Sequence, residues 1–332
     1  MKKNIALITL IFMLLPLSAG FAAPFYQGKT MKLIVATKPG GGYDFYARLV
    51  AQYMQKYLSG VKTIIVKNVP GAGHIIGTNT IYKSKPDGLT FGTFNRALGL
   101  TQVAGLKGVK FDLAKMGWLG SAAIEPMTFV VGSNSGIKNI DDVLKVKKIR
   151  IASPGVGTEG HVTPMLFAEM MGLKNFSFSS GFLGGEAELA MMRGEVDAQF
   201  ASLGSISGFM EQGHGIPVMF TAQKPVPGYE NVPLIQNVVK DKSYQPVIDL
   251  LFTVSLLGRP FAAPPGIPAE RLKILQEAFY KAMHDNEAIK ISQKAGRPLD
   301  YVSGEDAQKM AKSILEVSPQ VVKLVKEAYG VK

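Results

Sequence analysis

The residues best placed to do chemistry are glycines at the starts of helices. Ala36-Thr37-Lys38-Pro39-Gly40-Gly41-Gly42-Tyr43-Asp44 follows an apolar run, Met31 to Val35. It precedes Phe45 to Leu58, where Ala47, Val50, Ala51, Met54 and Leu58 recur on one helical face. A strand-to-helix turn of this kind leaves the first helical N–H groups unpaired, and three glycines let a guest approach the backbone. The start of a helix carries partial positive charge, so the expected guest is an anion. A glycine loop shaped only for tight packing is the alternative, and for a single loop it would prevail. The chain has three more such turns: Pro70-Gly71-Ala72-Gly73-His74, Pro154-Gly155-Val156-Gly157-Thr158-Glu159-Gly160-His161, and Gly181-Phe182-Leu183-Gly184-Gly185.

Side chains at these turns have two readings each. Tyr43 lines a pocket or packs outside it. Asp44 complements the helix dipole, or holds a water or a ligand amine. Thr158 caps its helix, a role worth ~1 kcal/mol, or offers its hydroxyl to a carboxylate. On the second use, Thr158→Val is expected to weaken binding while barely moving the melting temperature of the empty protein. His161 donates to a ligand or fixes its own loop; His74, similarly placed, leans to the structural role. Asn95 and Ser121 end strands on the side where a ligand is expected.

Other chemistry lacks its residues. There is no Gly-x-Ser-x-Gly elbow, P-loop or His-Glu-x-x-His. The histidines His74, His161, His214 and His284 have no metal spacing. Gly71-Ala72-Gly73 with Gly77 lacks the spacing of a dinucleotide loop, and Lys67 ends the strand before it. No catalytic residue, metal or cofactor is therefore expected. A secreted hydrolase using Asp44 or His161 as base is the weaker rival.

The elements that hold these turns alternate, strand then helix, which indicates βαβ units and an α/β fold. Ligands of such sheets sit outside the carboxyl ends of the strands. Residues 30–121 and about 126–255 follow the same grammar. Thr253 to Leu257 and Phe261 to Ala263 read as strand pieces. Helices follow over Ala269 to Asp285, Ile289 to Ala295 and Gly304 to Glu327, a tail expected to pack back on the first domain.

Composition narrows the setting. At 47% hydrophobic and 19% charged, 332 residues supply a core for one large or two medium domains. Lys2 and Lys3, the apolar run Ile5 to Leu17 and the Gly20-Phe21-Ala22 site read as a signal peptide, residues 1–22, cleaved on export. Cysteine is absent, so an exported chain folds here without disulfides. The net charge of +12 is spread over dispersed lysines, a solvated basic surface that steers anions and implies no nucleic acid partner.

Taken in order, several stretches give the chain a family resemblance. They are Lys38 to Asp44 with Ala47-Arg48, Asn68-Val69-Pro70-Gly71-Ala72-Gly73, Pro86-Asp87-Gly88-Leu89-Thr90, Gly155-Val156-Gly157-Thr158 with His161, Gly184-Gly185 with Gly194-Glu195-Val196-Asp197, and Ala263-Pro264-Pro265-Gly266-Ile267-Pro268. In these the chain resembles the periplasmic receptors of tripartite tricarboxylate transporters, the Bug-type solute-binding proteins. The resemblance implies a type II periplasmic binding protein, two doubly wound α/β domains joined by a two-stranded hinge. It places domain 1 at 23–124 and 258–332 and domain 2 at 125–257, with crossings near 122–127 and 253–260. It implies a monomer that catches an organic carboxylate in the cleft and delivers it to integral membrane transporter subunits. A receptor for a membrane signalling protein is the alternative. Gly40, Gly41, Tyr43, Asp44, Gly71 and Gly73 would form the first wall, with Asn95 beside it. Gly157, Thr158, His161 and Gly185 would form the second. His74 stands where the family often has glycine, Val69 where it often has a basic residue. Tyr43 and Phe45-Tyr46 are bulkier than usual. These departures point to an aromatic or longer carboxylate.

Overall fold

A computed structural model describes residues 25–183 and 185–331; the expected signal peptide lies outside them. Alternation of side chains sets the layers. On strand β5 (Met127–Gly132), Phe129 and Val131 enter one apolar cluster and Val130 another, as a period of two requires. Strand β1 (Thr30–Val35) divides likewise, Ile34 to one side and Leu33 and Val35 to the other. Both strands are thus covered on two faces.

The chain starts with β1, α1 (Gly42–Tyr57), β2 (Thr63–Asn68), α2 (Ile75–Tyr82), β3 (Thr90–Thr93), α3 (Leu98–Val103) and β4 (Gly117–Ser121). It crosses to β5, α4 (Ile140–Lys145), β6 (Ile149–Ser153), α5 (Glu159–Met170), β7 (Phe176–Ser180), α6 (Glu186–Met192), β8 (Ala198–Ser202), α7 (Leu203–Glu211), β9 (Gly215–Thr221), α8 (Ile235–Val238) and α9 (Gln245–Leu257). It returns through β10 (Pro260–Ala263), α10 (Ala269–Met283), α11 (Asn286–Lys294), β11 (Val302–Ser303), α12 (Gly304–Leu315) and α13 (Pro319–Ala328). The six-stranded sheet has the order β11-β4-β10-β3-β1-β2, and the five-stranded sheet β7-β6-β8-β5-β9.

Neither sheet is purely parallel, although the alternation of strands and helices suggests it. β10 runs antiparallel to β3 and β4, and β5 antiparallel to β8 and β9. Each of these reversed strands receives the chain just after it has crossed from the other sheet. The crossing segments pair with each other: Ala122 N donates to Arg259 O at 3.0 Å and Arg259 N to Ala123 O at 2.9 Å. Hydrophobic period does not encode strand direction, so the sequence leaves this open.

One element departs from its expected type. Thr253 to Leu257 form the last turns of helix α9, not a strand. Val247, Ile248, Leu250, Leu251 and Val254 are all buried, and burial on most sides masks the helical period that the β-branched residues there further obscure. The C-terminal tail also reaches further than expected. Helix α12 packs on β4, α3 and α9, but α13 touches both α3 and α5. One apolar cluster therefore runs from Trp118 of the first sheet to Phe129 of the second through α9, α12 and α13.

Candidate functional site

Helix α1 begins at Gly42 with Gly41 as its cap, and no side chain caps it. Gly42 admits Arg259: a Cβ there would lie 2.9 Å from Arg259 Nη2 and 3.1 Å from Ser205 Oγ. Asp44 takes no part in capping and does not border the cavity described below. Its carboxylate accepts from Gly40 N (3.0 Å), Arg48 Nε (3.0 Å) and Nη2 (3.1 Å), and Asn68 Nδ2 (2.9 Å). Burial opposes its ionisation but is outweighed by the Arg48, Gly40 and Asn68 hydrogen bonds, so the carboxyl is held below its usual range. Asp44 thus fixes the loop that presents the glycines.

These glycines open on a cavity of about 830 Å³ between the two sheets, within the ~300–1,000 Å³ usual for small-molecule sites. Gly40, Gly41, Gly42 and Tyr43 border it from the six-stranded side. Thr158, Gly185 and the start of α7 border it from the five-stranded side, and Asn95 and Arg259 lie at the junction. Among the residues expected at a site, Gly40, Gly41, Tyr43, Asn95, Thr158 and Gly185 meet here, whereas Gly71, Gly73, Gly157 and His161 do not border this cavity.

The other residues have visible work. Gly73 and Gly157 press backbone to backbone: a Cβ on Gly157 would lie 2.6 Å from Gly73 O, and one on Gly73 2.9 Å from Gly157 N. That contact joins the two sheets' loops directly. Gly71 adopts φ +134°, folding the turn over Ile76. His161 Nδ1 is hydrogen bonded to Ser153 Oγ at 2.8 Å, and Ser153 Oγ accepts from Gly155 N at 3.1 Å. His161 therefore ties its own loop, and burial holds its pKa down. The Thr158 hydroxyl does not cap α5; it donates to Gly155 O at 2.7 Å.

Asn95 performs the capping instead, from the opposite sheet. Its Oδ1 accepts from Glu159 N at 3.1 Å and from Ala97 N at 2.9 Å. Beside it Arg96 pairs with Glu159, both buried, and Arg96 Nη1 donates to Glu125 O and Ser255 O at 2.8 Å each. A second buried pair, Arg259 with Glu125, sits on the crossing segments, where Arg259 also donates to Ser202 and Ser205 hydroxyls of the five-stranded side. The Arg259 guanidinium lies 4.5 Å from the Tyr43 ring centre. Tyr43 OH accepts from Arg96 N at 3.1 Å, and burial pushes the phenol pKa up. His74, in left-handed backbone at φ +74°, borders the cavity with a buried, unpartnered Nδ1. Burial, aided by the charge of Arg259, pushes its pKa down to about 3, so the ring is neutral.

Sequence reasoning missed Arg259, Glu125, Ser202, Ser205 and the start of α7. Glu125 and Arg259 stand 134 positions apart, so only the fold brings them together. A local signal did exist: Arg259 is a charge amid Leu256-Leu257-Gly258 and Pro260-Phe261.

A sequence profile of the tripartite tricarboxylate transporter family receptor matches residues 46–329. The chain belongs to that family. It is a family of solute-binding receptors, not enzymes. A UPF0065 protein of Bordetella bronchiseptica is 24% identical over 307 residues, covering 89% of this chain and 85% of its own. BugT of Bordetella pertussis is 29% identical over 164 residues, 45% of this chain and 49% of its own. Among solved structures, the periplasmic binding protein BugD superposes with TM-score 0.75 at 20% identity, covering 91% of this chain and 98% of its own. MatC of Rhodopseudomonas palustris with bound malate gives 0.72 at 16%, covering 89% and 98%. A second R. palustris protein with adipate gives 0.72 at 18%, covering 91% and 97%. The fold of the receptor is that of the two-domain type II periplasmic binding proteins.

Proposed function

We propose that this receptor captures an organic carboxylate in the cavity between its sheets and hands it to a tripartite tricarboxylate-type membrane transporter. The carboxylate meets the free N–H groups at the start of α1, next to Gly40, Gly41 and Tyr43, with Arg259 and Asn95 alongside. Thr158 and Gly185 complete the far wall. Asp44, Gly71, Gly73, Gly157 and His161 hold the loops that shape it. The lobes are residues 23–124 with 258–332, and residues 125–257; they close about the crossings at 122–127 and 253–260. The receptor works in the periplasm, as a monomer, after loss of residues 1–22.

The observation that carries this reading is the uncapped start of α1 opening on a cavity beside a buried arginine. That two structural neighbours are described with malate and adipate supports a carboxylate as guest. Thermal unfolding with a panel of aliphatic and aromatic carboxylates tests it. A true ligand at about 100 times its dissociation constant stabilises by ~2.7 kcal/mol. Native mass spectrometry of freshly purified protein weighs any ligand it retains. A panel without a single shift, and no retained carboxylate, contradicts the reading.

A further inference from the structure

We propose that the five-stranded wall of the cleft holds a second subsite, formed by Gln199 and Glu188, for a neutral carboxamide. The preferred ligand is then a monocarboxylate with a primary amide at its far end, not a dicarboxylate. This rests on the carboxylate reading above and specifies the other end of the same guest.

Gln199 lies on β8, between Val130 of β5 and Ala152 of β6, the residues directly opposite it. Both neighbours belong to the apolar layer that β8 presents to α6 and α7. An amide there is out of pattern. Gln199 is only 7% exposed, borders the cavity, and its Nε2 is buried without a hydrogen-bond partner. Glu188, on α6, borders the same cavity, and its Oε2 is likewise buried and unpartnered. Burial raises the Glu188 pKa, and hydrogen bonding from its own backbone N–H and from the Gln199 side chain opposes the rise, so the two side chains face each other across the wall. The Gln199 Nε2 and Glu188 Oε2 atoms nonetheless meet outside good hydrogen-bond geometry, and a buried donor and acceptor so poorly matched keep part of the penalty of lost hydration. An apolar pair would avoid it. Their retention in the wall is explained by a guest that supplies both partners.

The chemistry of that guest follows from the inventory of the two groups. Nε2 of Gln199 needs an acceptor and Oε2 of Glu188 needs a donor. A carboxamide offers a carbonyl to the first and an N–H to the second. A carboxylate has no hydrogen to give and adds like charge beside Glu188. The cations bordering the cavity, Arg259, Lys294 and Arg297, come from the crossing segment, α11 and the turn after it, and none comes from α6 or β8, which carry Glu188 and Gln199. The two ends of the cleft thus ask for different groups.

Calorimetry with succinate, glutarate and adipate against succinamate, glutaramate and adipamate tests the assignment. The best monoamide should bind about tenfold tighter than its diacid. Glu188→Gln should erase or invert that preference, and Gln199→Leu should weaken the monoamide while sparing the diacid. The melting temperature of each empty variant checks that it folds, and either variant alone suffices. A diacid that binds as well as its monoamide overturns the subsite and leaves the carboxylate reading standing, as does an unchanged ratio in Glu188→Gln. If no compound of either series binds, the subsite assignment falls, and the carboxylate reading is decided by the wider aliphatic and aromatic panel above.

Discussion

Helices α1 and α5 begin alike in sequence, each after an apolar strand and a Pro-Gly turn, yet their first turns meet different fates. The start of α1 has no side-chain cap and opens on the cavity. The start of α5 is closed by the opposite sheet: Asn95 accepts from Glu159 N, and Arg96 pairs with the Glu159 carboxylate. The anion-seeking end of one helix is open to the cavity, and that of the other is satisfied by the protein itself. The glycines differ to match. Gly41 has open space around it, whereas Gly157 lies against the backbone of Gly73. A glycine-rich helix start therefore either borders the cavity or seals the contact between the two sheets' loops, and what stands across from it decides.

The largest expected effect comes from breaking the seam. Arg96→Met leaves the Glu159 carboxylate buried without its partner and should lower unfolding free energy by about 3–5 kcal/mol. Denaturant titration reads this, and Arg96→Met combined with Glu159→Met should recover much of the loss. Gly157→Ala comes next. Its Cβ would lie 2.6 Å from Gly73 O, so the loops must part. An overpacking cost of about 1–3 kcal/mol should appear mainly as weaker ligand binding, with a larger radius of gyration in small-angle scattering. An unchanged affinity would remove this contact from the closing motion.

The pH dependence separates the two sides further. His74 is buried neutral with its pKa near 3 against 6.5 in an ordinary setting. Between those values the unfolded chain binds the proton and the folded one does not, so stability should fall as pH drops through that window. His74→Asn, which also tolerates left-handed backbone, should flatten the slope. Urea unfolding across the window measures it. The Asp44 carboxyl, held below 3.8, acts with the same sign but only at lower pH. Thr158→Val is the smallest effect. Because its hydroxyl is bonded to Gly155 O, the valine should cost about 1 kcal/mol of stability. The barely moved melting temperature expected from sequence is therefore revised, with affinity following only as far as the loop shifts.

Much of the frame is legible in the sequence. Turn residues and apolar runs locate the α1, α2, α5 and α6 starts, because glycine, proline and side-chain period act locally. Local signals stop where partners come from afar. Asp44, Thr158 and His161 each have two plausible uses in sequence, and the neighbours Arg48, Gly155 and Ser153 commit them to their own loops. Arg259 and Glu125 escape notice because their meeting depends on two crossings that hydrophobic pattern cannot orient. The strand reading of Thr253 to Leu257 fails for a related reason: a helix buried on most sides has no polar face to mark its period.

The central claim is that the α1 start is the open anion site. Gly41→Asp addresses it most directly, because Gly41 has extended backbone (φ −89°, ψ 178°) and nothing within 4 Å of a Cβ. An aspartate there caps the helix with its own carboxylate, as the Asn95 amide oxygen does for α5. Calorimetry of this variant with the carboxylate found for the parent protein should show affinity reduced on the order of a hundredfold, with the empty protein melting no lower than the parent. Full affinity in a folded Gly41→Asp variant would contradict the account.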